Sequence, residues 1–176
     1  MSSDTPQPPV PNPHSPAVWL ATCLGVGLWA PAPGTAGAVW GSLLAWGISY
    51  LPGLAWQVVA IVAVNLVGIP LCTAAGRALG GQKDNQAIVW DEMASMPIVF
   101  LLVPLNGWVV GLVGFGLHRL LDITKPPPAR QLERLPDGLG VMADDWMAAA
   151  YACVALWVLV RLDMLGGLGL LAPAGG

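Results

Sequence analysis

Acidic residues in this chain sit where acids are costly. Asp84, Asp91 and Glu92 lie around the start of one apolar run, Asp122 at the end of the next, and Asp144 with Asp145 at the opening of the last. Carboxylates bordering apolar sequence persist where they are used or paired. Neighbouring helix residues point ~100° apart, so each adjacent pair can aim one oxygen ligand inward and keep the other for a second task. Hard oxygen donors gathered at one face suit Mg2+, which takes carboxylates together with water and phosphate oxygens. Zinc is disfavoured, since His14 stands in a polar tail and His118 has no Cys or His partner nearby. Lys83 beside Asp84, and Arg119, Lys125 and Arg130 between residues 119 and 145, supply the opposite sign in the same stretches as the acids. Arginine grips a phosphate through a planar fork, and lysine acts as a mobile point charge. With a divalent ion, such a set can perform phosphoryl chemistry.

A purely structural account competes at each position. The helix macrodipole by itself favours acids in a first helical turn, which covers Asp144, Asp145 and Asp91. Asp122 closes a helix, where that dipole disfavours it, and pairing with Arg119 and Lys125 is its structural alternative. The segments PGTAG at 33–37 and DGLG at 137–140 each lead into a helix. They are either simple turns or sets of backbone amides aimed at an anion.

The elements that must position these groups are apolar. Of 176 residues, 56% are hydrophobic and 10% charged, against roughly 25% charged in an ordinary soluble domain. Five apolar stretches, 36–51, 54–76, 88–103, 108–121 and 146–162, run about 14 to 23 residues, near the ~20 that cross a bilayer. Lipid offers no backbone partner and the runs lack period-2 alternation, so helices are expected. The expected fold is all-α: a polytopic membrane bundle of about five spanning helices, with a short interfacial or re-entrant helix over 17–30. Residues 1–16 read as a disordered polar, proline-rich tail, 17–165 as a single membrane-embedded catalytic domain, and 166–176 as a flexible glycine-rich end.

The breakers between runs alternate between charged and uncharged, so six of the seven Lys and Arg residues fall on one side, with Arg161 across. The positive-inside rule makes that side cytoplasmic and puts PGTAG there. Cys23, Cys72 and Cys153 lie singly in apolar runs without metal-ligand spacing and are expected as small core residues. A formal net charge of −3 without a basic stripe argues against a nucleic-acid partner.

Four motifs occur in order: PGTAG, DNQAIVWDE from Asp84 to Glu92, RLLDITKPPP from Arg119 to Pro128, and GLGVMADD from Gly138 to Asp145. Over roughly residues 29–150 the chain resembles the phosphatidylglycerophosphatase A family of bacterial membrane lipid phosphatases. The resemblance implies a multi-pass inner-membrane enzyme whose active site faces the cytoplasm. It implies Mg2+-dependent removal of the terminal phosphate of phosphatidylglycerophosphate, with membrane lipids as the surroundings. By motif position it implies Asp84, Asp91 and Glu92 as catalytic residues and Thr35, Asn85, Arg119 and Lys125 as phosphate-binding residues. Asp91, Asp122, Asp144 and Asp145 are the implied metal ligands. Attack by water and a covalent phosphate on Asp91 both remain open. A CDP-alcohol phosphotransferase would need a D-G-x-x-A-R run, and Asp137-Gly138 is followed instead by Leu139, Gly140, Val141 and Met142. A transporter would place its acids at mid-membrane rather than at helix ends.

Overall fold

The computed structural model describes residues 12–81 and 85–166. Among these residues the regular structure is helical throughout, without a strand. The helices are α1 (Pro16–Ala21), α2 (Val26–Trp29), α3 (Pro33–Ser49), α4 (Leu54–Ala78), α5 (Trp90–Val99), α6 (Trp108–Thr124), α7 (Ala129–Leu132) and α8 (Asp137–Gly166). Local chemistry sets the boundaries. Pro33 opens α3, where its fixed φ and missing N–H cost nothing. Gly80 and Gly81 follow α4 at φ of 99° and 78°, a left-handed exit that a side chain would resist. Pro126, Pro127 and Pro128 prevent α6 from continuing past Lys125.

Helix α5 is the hub, packing against α3, α4, α6 and α8. Small residues let the backbones approach. A Cβ on Gly37 of α3 would sit 2.8 Å from the Val89 carbonyl oxygen, and one on Gly68 of α4 would sit 2.6 Å from Met142 Sδ. One core cluster joins Ala38, Met96, Val99, Phe100, Ala149 and Leu156, and a second joins Val18, Cys72, Ile88, Ala94 and Met142. A buried amide fastens the centre: Asn65 Nδ2 donates to Ala94 O at 2.8 Å, and its Oδ1 accepts from Trp146 Nε1 at 2.6 Å. Those bonds tie α4, α5 and α8 together and satisfy a polar group that would otherwise be expensive inside.

The exterior is apolar. Val58, Val59, Val62, Leu66 and Val67 of α4 and Val154, Val158, Leu159 and Leu162 of α8 face outward, far more than a water-soluble monomer exposes contiguously. The protein is membrane-associated. Among the described residues two helices, and not the five expected, have the length and hydropathy of a span: α4, with mean hydropathy 2.3, and the Asp137–Asp163 portion of α8, with 1.5. The shortfall has local causes. Helices α3 and α6 stop at 17 residues each, and α5 at ten, with Pro97 removing a backbone donor from the last turn of α5.

The stretch 17–30 also differs from one short helix. Cys23, Leu24 and Gly25 adopt positive φ and divide it into α1 and α2. Of the expected tail, residues 1–11 lie outside the described residues, as do 167–176 at the other end. Residue 12 is already docked, its amide donating to Ala78 O at 2.7 Å.

Candidate active site at one end of the bundle

Asp91 and Glu92 occupy the first turn of α5, Asp122 the last turn of α6, and Asp144 with Asp145 a point about two turns inside α8. The bundle brings them together. One carboxylate oxygen from each of Asp91, Glu92 and Asp145 lies within 4.8 Å of the others, and Asp122 is within hydrogen-bonding reach of Asp145. Asp91, Asp144 and Asp145 are buried. Their Oδ1 atoms, and Oε2 of Glu92, make no hydrogen bond. Buried like charges with unpaired oxygens are costly on both counts. A hard divalent cation bound to these oxygens removes both costs, so the donor set fits Mg2+ by charge, atom type and vacant lone pairs.

The macrodipole account fails for Asp144 and Asp145. Helix α8 begins at Asp137, so the two acids lie beyond the first turn, where that field has faded. Gly138, expected near a turn, is helical; a Cβ there would strike Thr73 and the Ile69 carbonyl. Its amide donates to Thr73 Oγ1 at 2.9 Å and is spent inside the fold rather than on an anion.

The cations are placed by the acids. Arg119 Nη1 donates to Asp122 Oδ2 and lies 3.6 Å from Glu92 Oε1, while its buried Nε has no partner. Lys125 Nζ reaches Asp144 Oδ2 at 2.7 Å and Glu133 Oε2 at 3.3 Å. Desolvation pulls the Lys125 ammonium down, but the hydrogen bond and charge of Asp144, with Glu133, outweigh it and leave the pKa above its ordinary value. Lys125 is therefore fully charged at neutral pH and pins the α6–α7 junction to α8.

Beside the acids opens a cleft of about 250 Å³ lined by Ala32, Pro33, Gly34, Thr35, Gln86, Ile88, Asp91, Glu92 and Arg119. The first-turn amides of α3 have no intrahelical acceptor, which makes this rim receptive to an anion. A Cβ on Gly34 would overlap the Glu92 carboxylate and crowd the Arg119 guanidinium, so any side chain here must displace one or both.

Of the phosphate-binding residues expected, Thr35 and Arg119 line the cleft, and Lys125 is not among its lining residues but pairs with Asp144. Asn85 turns away, its Oδ1 accepting from Ala87 N at 3.0 Å, and Gln86 lines the cleft instead. Asp84 and Lys83 lie outside the described residues. Sequence reasoning missed a buried pair: Ser95 Oγ and His118 Nε2 are 3.0 Å apart, and the same nitrogen is 3.9 Å from Asp145 Oδ1. Twenty-three residues separate the two, and no motif links them.

A helical, membrane-associated scaffold with a carboxylate cluster beside an arginine-lined cleft defines a class of enzyme acting on phosphate esters. The family model described as phosphatidylglycerophosphatase A matches residues 19–160, and the chain belongs to that family. A phosphatidylglycerophosphatase A of Haemophilus influenzae is 36% identical over 141 residues, covering 80% of this chain and 86% of the relative. One of Escherichia coli is 32% identical over 143 residues, covering 80% and 81%. A Bacteroides thetaiotaomicron protein, provisionally named a phosphatidylinositol-3-phosphatase, is 35% identical over 153 residues, covering 81% and 94%. No solved structure matches the chain. The resemblance drawn from the four motifs is borne out.

Proposed function

We propose that this chain hydrolyses the terminal phosphate monoester of phosphatidylglycerophosphate, yielding phosphatidylglycerol and inorganic phosphate at the cytoplasmic face of a bacterial inner membrane. The observation that carries the reading is the cleft in which Asp91, Glu92 and Arg119 meet the first turn of α3. A lipid phosphate entering it meets the Arg119 side chain, the Thr35 side chain and the first turn of α3, whose donors can serve its equatorial oxygens. Asp122 holds the guanidinium in place from behind.

Asp91, Glu92 and Asp145 would hold Mg2+, with Asp122 and Asp144 alongside. When bound, the ion supplies positive charge that offsets the phosphate and the developing alkoxide. Glu92 borders both the acid cluster and Arg119 and is placed to take a proton from the attacking water. The P–O bond to glycerol breaks, and the departing oxygen is protonated from solvent.

The arrangement in the membrane follows from charge and polarity. Helices α3, α4, α5, α6 and α8 cross or partly cross, and Arg77, Arg119, Lys125, Arg130 and Arg134 mark the cytoplasmic end. Arg161, far along α8, lies toward the other face, an asymmetry that supports this orientation.

The test is phosphate release by purified protein in mixed micelles from phosphatidylglycerophosphate, phosphatidylinositol 3-phosphate and a soluble monoester. Turnover of the first lipid above the other two, abolished by EDTA and restored by Mg2+, is expected. Preference for the inositol lipid would transfer the chain to the activity named for the Bacteroides relative. Turnover indifferent to chelation would remove the ion from the mechanism.

A further inference from the structure

His118 is fully buried on α6, one residue before Arg119, and its surroundings make it more than core filling. Its Nε2 lies 3.0 Å from Ser95 Oγ on α5 and 3.9 Å from Asp145 Oδ1 on α8. One imidazole edge thus faces both of the other helices that build the acid cluster.

The bonding pattern fits one tautomer of the ring. Ser95 Oγ lies 3.3 Å from the Glu92 carbonyl oxygen, which accepts its hydroxyl hydrogen when the imidazole donates to Oγ from Nε2. That tautomer leaves Nδ1 bare. Nδ1 is buried without a partner, as a ring nitrogen with no hydrogen and no donor beside it would be. The Nε2–H dipole then points between Ser95 and the unpartnered Oδ1 of Asp145. In water a group so placed would be solvated and of little consequence; here it lies 3.9 Å from an unpaired carboxylate oxygen, in a low dielectric that strengthens the attraction.

We infer that His118 is a positioning residue for the cation site: anchored on Ser95, its Nε2 edge stands 3.9 Å from Asp145 Oδ1, beyond hydrogen-bonding distance, and its dipole keeps that carboxylate turned toward Asp91 and Glu92. Hydrogen-bonding neighbours of this kind set the orientation of metal-holding side chains and with it the affinity for the ion. The inference rests on the proposed ion site. It goes beyond that reading by naming a residue that touches neither substrate nor ion. A role in helix packing alone would make a shape-matched apolar ring as good as histidine. A role in orientation would not.

The experiment measures Mn2+ binding to the purified full-length protein in detergent, by electron paramagnetic resonance of the free ion, for wild type, His118→Phe, His118→Gln and Ser95→Ala. Each protein is first checked for a single melting transition. His118→Phe is expected to weaken Mn2+ binding by about 10-fold or more, and to raise the Mg2+ needed for half-maximal turnover by the same factor, leaving the lipid KM at saturating Mg2+ unchanged. His118→Gln, whose amide N–H can stand near the Nε2 position, is expected to recover most of the affinity. Ser95→Ala should fall between the two and carries the test if the phenylalanine variant does not fold. Variants that bind Mn2+ as tightly as wild type, or a glutamine variant no better than phenylalanine, would overturn the role of His118. Wild-type protein that binds no Mn2+ would sink the ion site itself and the inference with it, a result distinct from the other two.

Discussion

The two ends of the bundle each hold a cavity, and the larger one is the less reactive. At the end away from the acids, a hollow of about 440 Å³ lies among Ala45, Ile48, Gln57, Phe100, Leu102 and Asn106, without a single ionisable lining residue. Two of its polar side chains are occupied locally, Ser49 Oγ donating to Trp46 O at 2.6 Å and Gln57 Nε2 lying 3.4 Å from both the Ser49 and the Leu51 carbonyl oxygens. The cleft at the other end is little more than half that volume, yet it borders buried carboxylate oxygens and a guanidinium nitrogen that bond to nothing. Unspent bonding capacity distinguishes a place where chemistry happens from a gap between helix ends, and size does not.

Replacing Asp91 by Asn should break the contrast most completely. Phosphate release is expected to fall by about 10³-fold, while melting without divalent ions should hold or rise, because one of three crowded charges is gone. A stable, fully active variant would remove Asp91 from the site. Arg119→Lys comes next: a point charge replaces a fork, and kcat/KM should drop by about 10²-fold, measured with protein shown to fold. Gly34→Ala pushes a methyl group toward Glu92 and Arg119 and should cost about 10-fold through misplacement of both. An unchanged rate would mean that the cleft can widen freely. At the far end, Asn106→Ala is expected to alter turnover by less than about twofold, as surface changes remote from a site do. A large loss there would erase the distinction between the two ends.

Much of the reactive end was legible in sequence because its residues are the wrong polarity for their neighbourhood. Asp91, Glu92, Asp122, Asp144 and Asp145 stand out against apolar runs, and all five converge. Less visible were features that depend on packing. Gly138 and Gly140 signal a turn by local propensity, yet both are helical, with the start of α8 at Asp137 and Gly138 pressed against α4. That shift carries Asp144 and Asp145 deeper than a first-turn position. Hydropathy marked five runs but could not show that α5 ends after ten residues at a proline-weakened turn. Nor could any spacing rule find Ser95 beside His118, since a buried serine in an apolar run looks like any small residue until the helices meet.

The brevity of α3 and α6 has a consequence for the lipid around the enzyme. Seventeen residues give about 25 Å of helix, short of the ~30 Å of hydrocarbon in an ordinary bilayer. If both cross as proposed, the leaflets must thin beside them, and the headgroup plane sinks toward carboxylates that lie two turns within α8. The substrate's phosphate would then be lowered to the site rather than lifted out to it. Turnover in vesicles should accordingly fall as the acyl chains of the host lipid lengthen, because a thicker bilayer resists the dimple.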